Sequence, residues 1–419
     1  MKKYFTLYPT THFLYSKTRG CLYNTLNGEI ISLNQQQKNL LVLSENGNDL
    51  KELNQDELDF YTELENKMLG SYGDKPVVIE PTFWGENLFF NKVSGNKRNF
   101  EVLQIALSSE CNFNCVFCDK FSNLVYRKTG CKRWTSNGTN ERMTDKGWEK
   151  YIKEAFQLGC KKIQFFGGEP LLQWNLLKRL ISISFDIGIQ EIEIYTNGSL
   201  LSKEKLNFIK KRKIKLIVQI SNMKNNKGIL GIAQNIDYER ILKLLTDTHV
   251  VFEILFIVSK YNEEKIEKYI EIIRDYQCRY RLDFINPFPE NIHYSKKYAK
   301  FVFDYKRKLI KMNPVNIGIL MLKNPCYSKA ICISEERVVY PCVMSRLTSY
   351  GKLNEKNHLT EILNEKYEEL VNLNKGKMQS CKQCVYRWGC ISCSAIEISA
   401  SNGIHSCKNC SLIQEGKNE

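Results

Sequence analysis

No stretch of this chain approaches the roughly 18 consecutive apolar residues that a membrane-spanning helix requires, and the apolar run at 250–258 has only the length of a strand. A membrane partner is therefore not expected. The opening residues, Met-Lys-Lys-Tyr-Phe-Thr-Leu-Tyr-Pro, lack a sustained apolar region and a small-residue cleavage site. No signal peptide is read there, and a cytoplasmic location is expected. Disulfides are rare in that compartment, so the 16 cysteines imply metal or redox chemistry. A basic stripe is missing as well. The formal net charge of +15, from Lys+Arg 61 against Asp+Glu 46, could suit nucleic acid. The lysines are instead scattered through amphipathic helices, so no nucleic-acid partner is expected and the charge reads as solvation with a mild preference for an acidic partner. What is present, 43% hydrophobic and 26% charged residues, describes a globular protein. A length of 419 residues exceeds what one core supports, and two or three domains are expected.

The densest chemical signal is Cys-Asn-Phe-Asn-Cys-Val-Phe-Cys, which places Cys111, Cys115 and Cys118 at C-x3-C-x2-C spacing. No fourth cysteine or histidine lies close enough in sequence to complete a tetrahedron. Four thiolates satisfy a 4Fe-4S cube, whereas three leave one iron with an open position for a small molecule. A zinc site borrowing its fourth ligand from elsewhere is the other reading of the same spacing. About fifty residues on stands Phe165-Phe166-Gly167-Gly168-Glu169-Pro170-Leu171-Leu172. The run 161–166 reads as a strand, the glycines as a turn that exposes backbone, and Pro170 as the first turn of a helix. Exposed carbonyls with the Glu169 carboxylate could hold the ammonium group of a bound amino acid; on its own the motif would be an ordinary strand end.

Together these two motifs resemble the radical S-adenosylmethionine enzymes, with Phe117 as the aromatic residue before the last cysteine of the loop. The resemblance implies that Gly167, Gly168, Glu169 and Pro170 bind the methionine amino group of S-adenosylmethionine. Strand-like runs at 102–107, 163–166, 192–195, 216–220, 250–258 and 282–285 alternate with helical periodicity at 146–158, 171–185, 238–245 and 263–276. That alternation predicts an α/β fold with a parallel sheet and helices outside. Six such units match the partial (β/α)6 barrel of the resembling family, with ligands at the carboxyl ends of the strands. Thr196-Asn197-Gly198 and Ser221 fall where that family contacts the cofactor. The fourth strand continues Ser221-Asn222-Met223-Lys224, where relatives commonly carry an Asp-Gly pair. Cys131, in the polar linker 119–142, reads as a bystander.

The last third of the chain carries nine cysteines between positions 326 and 410. Their order is Cys326, Cys332 and Cys342, then Cys381, Cys384, Cys390 and Cys393, then Cys407 and Cys410. This pattern resembles the SPASM extension, which carries two auxiliary 4Fe-4S clusters in enzymes that modify peptides and proteins. The resemblance implies one cluster on Cys326, Cys332, Cys342 and Cys393, and a second on Cys381, Cys384, Cys390 and either Cys407 or Cys410. Two departures are an x2 where relatives have x3 in the central block, and the lack of a glycine between Cys332 and Cys342. Two structural zinc ribbons are the alternative reading.

Residues 1–98 combine a hairpin over 22–31, turned at Asn27-Gly28, with helical patterns at 35–43 and 56–69. This arrangement resembles the winged-helix leader-recognition domain of peptide maturases, in which an exposed strand edge pairs with a precursor peptide; a stabilising cap on the barrel is the alternative. The expected domains are thus 1–98, a radical S-adenosylmethionine barrel at 99–305, and a SPASM domain at 306–419. The combined resemblance implies an oxidoreductase acting on a ribosomally made precursor peptide, with oxidative cross-linking through a thioether or carbon–carbon bond as the leading outcome. Its cofactors would be S-adenosylmethionine and three 4Fe-4S clusters, and its electron donor a flavodoxin or ferredoxin. An anaerobic sulfatase-maturing enzyme, a peptide epimerase using Cys131, Cys160 or Cys278 as hydrogen donor, and a zinc-bound adaptor are the competing readings. No Asp, Glu or Tyr is singled out as catalytic base.

Overall fold

The computed structural model describes residues 3–77, 100–115, 118, 142–223, 236–259, 262–284, 314–354, 356–390, 393–395 and 398. Phe117, Cys131, Cys407 and Cys410 lie outside the described residues.

The amino-terminal region folds as two small antiparallel units around two helices. Strand β1 (Tyr4–Leu7) pairs with β5 (Gly70–Gly73), while β2 (Thr11–Tyr15), β3 (Gly20–Asn24) and β4 (Ile30–Leu33) form a separate meander. The hairpin turn closes because Asn24 Oδ1 accepts from Leu26 N at 2.8 Å and Gly28 adopts φ +75°, a conformation that costs glycine little. Helices α1 (Gln35–Glu45) and α2 (Gln55–Asn66) both begin with reciprocal capping boxes, at Asn34 with Gln37 and at Asn54 with Glu57. Their inner faces bury Leu40, Leu41, Phe60, Tyr61 and Leu64 against Phe5 and Leu22.

The six expected barrel strands are β6 (Val102–Ala106), β7 (Lys162–Phe166), β8 (Glu191–Thr196), β9 (Lys215–Ile220), β10 (Phe252–Val258) and β11 (Arg279–Phe284). Each pairs in parallel with the next. Helices α3 (Asp145–Gln157), α4 (Trp174–Ile187), α5 (Lys203–Lys211), α6 (Tyr238–Asp247) and α7 (Ile266–Asp275) lie between them in sequence. Helix α5 has no counterpart in the sequence reading, because it is short and buries just Leu206 and Ile209, with Phe208 partly buried beside them. The apolar residues Leu103, Ile105, Ile163, Phe165, Ile194, Val218 and Phe256 share one core with the buried faces of these helices. Side chains alternate across a strand, so Lys162, Glu193, Lys215, Glu253 and Arg281 fall on the opposite, inner face. They pair there with alternating charge: Lys162 Nζ to Glu193 Oε1 at 2.7 Å, Lys215 Nζ to Glu253 Oε2 at 2.7 Å, and Arg281 Nε to Glu253 Oε1. Nearer the carboxyl ends this inner face turns apolar, with Phe166 stacked on Tyr195 at 4.1 Å beside Ile217, Leu255 and Ile257.

The sequence boundary at 305/306 does not divide the sheet. After α8 (Pro314–Leu322), strand β12 (Ala330–Ser334) pairs in parallel with β6, and β13 (Val338–Tyr340) and β14 (Gly351–Lys352) add antiparallel beyond it. The resulting nine-stranded order is β11-β10-β9-β8-β7-β6-β12-β13-β14. Two short helices follow, α9 (Leu359–Ile362) and α10 (Glu365–Asn372). Among the described residues no helix is long and apolar enough to cross a membrane.

Candidate active site

Cys111, Cys115 and Cys118 sit half-buried in the loop that leaves the carboxyl end of β6. The loop is stitched locally, with Phe113 N donating to Cys111 Sγ at 3.3 Å and Cys118 N to Cys115 O at 2.9 Å. Its approach is set by β7. Gly168 N donates to Ser108 O at 2.7 Å and Glu169 N to Glu110 O at 2.8 Å. The two glycines are required by this contact. A Cβ on Gly167 would meet Ser108 O at 2.4 Å, and one on Gly168 would meet Glu110 O at 2.1 Å. The turn expected to expose backbone is therefore buried, because it packs directly on the segment that leads into Cys111.

Glu169 has 0% exposure. Its Oε1 accepts from Leu171 N at 3.0 Å and Thr196 Oγ1 at 2.7 Å, and its Oε2 from Asn197 N at 2.7 Å. Burial pushes its carboxyl up to about 6, against the lowering effect of Asn197 N, Thr196 and Leu171 N. An ionised carboxylate offers about four acceptor positions, and the three donors leave room for one more. Pro170 begins a 3-10 turn, Pro170–Gln173, that leads into α4.

Asn197 lies beside the cysteine loop, its Nδ2 donating to Asn112 Oδ1 at 3.0 Å and pointing to Cys111 Sγ at 3.9 Å. Its Oδ1 accepts from Ser199 N at 2.9 Å, and its backbone carbonyl accepts from Tyr238 Oη at 3.0 Å. Ser221 is buried at the end of β9, and its carbonyl accepts from Asn262 Nδ2. Asn262 also binds Ile257 O at 2.8 Å and Ser259 N at 2.7 Å, fastening the ends of β9 and β10 together. Sequence reasoning missed Asn262, Tyr238 and also Glu335. Glu335 Oε1 accepts from Ser109 N at 2.8 Å, two residues before Cys111, so the turn after β12 braces the loop after β6. These partners are remote in sequence, and no local pattern announces them.

The carboxyl-terminal cysteines gather in two places. Cys332, on β12, faces the barrel interior with Ala106, Phe166 and Tyr340, and Cys342 and Cys393 pack against the same group. Burial pushes the Cys342 thiol well up, and Cys393, Cys326 and Cys332 lie near enough to push it further. Among the described residues no three His, Cys, Asp or Glu side chains are drawn together as ligands to one ion. A cube asks only that its thiolates surround a common space, since each binds a different iron. A second observation fits a group there: the Tyr350 hydroxyl, in the buried group against which Cys342 packs, has no hydrogen-bond partner among the described residues. The other set begins at Cys381 and Cys384, joined by Cys384 N donating to Cys381 O at 2.9 Å, with Cys390 half-buried further along. Here the amino-terminal meander docks. Tyr23 Oη donates to Val385 O at 2.7 Å, Ser32 Oγ meets Tyr386 Oη at 2.6 Å, and the fully buried Cys21 packs near Cys384. Burial pushes the Cys21 thiol up to about 12.

Two unplaced cysteines lie away from this chemistry. Cys160 stands two residues before the start of β7 and donates to Lys162 O at 3.2 Å, while Cys278 immediately precedes β11. Both therefore sit at the amino ends of strands, opposite the cysteine loop.

Comparison with known proteins agrees with this geometry. Residues 105–302 match the radical SAM superfamily. The chain is 26% identical over 211 residues to the radical SAM cyclopropyl synthase TigE of Paramaledivibacter caminithermalis, covering 44% of this chain and 44% of that protein. It is 29% identical over 165 residues to a GTP 3′,8-cyclase of Staphylococcus epidermidis, covering 37% of this chain and 47% of that protein. The chain thus spans about half the length of these curated relatives. Streptococcus suis SuiB bound to its precursor peptide SuiA superposes with a TM-score of 0.57 at 16% identity, over 97% of this chain and 100% of SuiB. The protein anSMEcpe with bound AdoMet superposes with a TM-score of 0.54 at 18% identity, over 75% of this chain and 95% of its own. With the three-cysteine loop and the Gly-Gly-Glu turn locked together at the carboxyl ends of a parallel sheet, residues 105–302 form a radical SAM domain, the fold that works with a 4Fe-4S cluster and S-adenosylmethionine.

Proposed function

We propose that this enzyme modifies a ribosomally made precursor peptide, with oxidative cross-linking through a thioether or carbon–carbon bond as the outcome. The observation that carries the reading is the docking of the amino-terminal meander on the cysteine-rich region, through Tyr23 and Val385 and through Ser32 and Tyr386. It makes a strand-presenting unit and a candidate redox centre neighbours in one chain. Strand β2 pairs only with β3 among the described residues, and Tyr15 on it is 58% exposed. That edge suits strand addition by an extended peptide. SuiB, whose fold matches nearly the whole chain, has been solved with a precursor peptide, which supports the same reading.

In this assignment Cys111, Cys115 and Cys118 hold the cofactor-binding cluster, and Phe117 flanks it. When bound, that cluster with S-adenosylmethionine supplies a 5′-deoxyadenosyl radical able to abstract hydrogen from an unactivated carbon. Gly167 and Gly168 let β7 approach the cysteine loop, and Pro170 turns the chain away after it. Glu169 uses its remaining acceptor position for the cofactor's ammonium group. Asn197 and Ser221 line the same rim. Cys326, Cys332, Cys342 and Cys393 hold one auxiliary cluster; Cys381, Cys384 and Cys390, with Cys407 or Cys410, hold the other. Domains at 1–98, 99–305 and 306–419 would carry leader recognition, radical generation and the auxiliary clusters. A flavodoxin or ferredoxin would deliver electrons in the cytoplasm.

Formylglycine formation is the second reading, supported by the anSMEcpe fold match, which leaves about a quarter of this chain uncovered. Epimerisation with Cys160 or Cys278 as donor is disfavoured, since both sit at the wrong end of the strands. The test is anaerobic co-expression with a short peptide encoded nearby, followed by intact mass. Loss of two hydrogens per event with wild type, and no change with Cys115→Ala, supports cross-linking. An unchanged mass with both sinks it for that peptide.

A further inference from the structure

One buried polar group beside the candidate auxiliary centre is left unused by the reading above, on which this inference rests. Tyr350 stands just before β14 and is 4% exposed. Its backbone N–H donates to Val339 O at 2.8 Å, and its ring meets Tyr367 edge-on at 5.3 Å. The side chain is thereby fixed from two sides. Its hydroxyl nevertheless has no hydrogen-bond partner among the described residues, an arrangement proteins rarely tolerate in their interior. The neighbouring Tyr327 is satisfied differently, by Ser345 Oγ at 3.5 Å. Tyr350 and Tyr327 belong to the buried group against which Cys342 packs. Tyr350 N bonds to the strand that leads into Cys342, so the orphan hydroxyl belongs to the packed group around that cysteine.

We propose that the Tyr350 hydroxyl donates a hydrogen bond to a sulfur of the auxiliary cluster held by Cys342, as a positioning residue that raises the reduction potential of that cluster. Potentials of iron–sulfur centres depend on hydrogen bonds to the sulfurs and on solvent exposure, and outer partners of metal ligands commonly tune them. Reduction adds one electron and leaves the sulfurs more negative. A donor aimed at them therefore favours the reduced form. A phenylalanine keeps the ring in place and removes only the donor.

The experiment uses the full chain with Cys111, Cys115 and Cys118 replaced by alanine, so that only auxiliary signals remain. Iron and sulfide are quantified, and midpoints are read by titration monitored by electron paramagnetic resonance, with and without Tyr350→Phe. The expected result is full iron loading and one of two midpoints lowered, by about tenfold in the reduction equilibrium, which is about 59 mV for a one-electron couple. Full loading with both midpoints unmoved overturns the proposal. A second measurement on the Tyr350-containing protein, in D2O, does not depend on how well the variant loads. A strongly coupled exchangeable deuteron at the reduced cluster supports the hydrogen bond, and its absence overturns it. A chain with no auxiliary iron signal at all would refute the underlying cluster reading instead, and the iron analysis separates the two failures.

Discussion

Gly168→Ala isolates the contact that joins the two motifs of the site. An added Cβ would lie 2.1 Å from Glu110 O, 2.5 Å from Glu110 C and 2.8 Å from Ser109 O. All three atoms are backbone, so no rotamer change can relieve the clash. Restoring ordinary contact requires the 108–110 segment to retreat by about 1 Å. That movement stretches both hydrogen bonds from Gly168 N and Glu169 N, at about 1 kcal/mol each, and adds overpacking strain of about 1–3 kcal/mol. The segment leads straight into Cys111, so the displacement is passed to the cysteine loop. A misplacement of about 1 Å at a reacting centre can cost about a hundredfold in rate. The expected outcome is a fall of that size in 5′-deoxyadenosine formation under reducing conditions, with lower iron content at the first cluster. Gly376→Ala is the control, since its Cβ would meet only Asn374 Oδ1 at 3.2 Å. Wild-type iron and wild-type turnover in Gly168→Ala would refute the idea that this approach positions the loop.

Three further outcomes are expected. Glu169→Gln must turn an amide NH2 toward Leu171 N or Asn197 N, so S-adenosylmethionine affinity should fall by about ten- to a hundredfold; with the Glu169 carboxyl raised to about 6, wild-type affinity should weaken as pH drops below 6 and the variant's should stay flat, as equilibrium dialysis from pH 5 to 8 would read. In stability terms that raised carboxyl favours the folded state below its ordinary value, and the contribution is lost as pH rises through about 6. Glu253→Ala leaves Lys215 and Arg281 without their carboxylate on the inner face and should destabilise the chain by about 2 kcal/mol, discounted for the partial exposure of both cations, as a lowered denaturant midpoint. Tyr23→Phe removes the bond to Val385 O and should loosen the meander by about 1 kcal/mol; faster proteolytic release of the amino-terminal region, with S-adenosylmethionine cleavage unchanged, is the reading to look for.

The cysteine loop, the Gly-Gly-Glu turn and the six barrel strands were legible in the sequence because each is contiguous. Ligand spacing within one loop and apolar periodicity within one strand are local properties, and local chain geometry decides them. Helix α5 escaped because two buried positions make too short a periodic signal. The tertiary structure alone decided the rest. Alternation along each strand marks Glu193 and Glu253 as facing away from the helices, but only the parallel register aligns them with Lys162, Lys215 and Arg281. Glu169 was legible as a carboxylate for an ammonium group, but not as a buried one, because Thr196 and Asn197 arrive from a neighbouring strand to satisfy it. The cysteine-rich third looked like a separate domain, yet β12 extends the barrel sheet and Glu335 braces the first cysteine loop. Tyr23 meets Val385 across most of the chain's length. Hydrogen-bond partners drawn from distant segments leave no periodic trace in a sequence, since what selects them is a shared place in the fold.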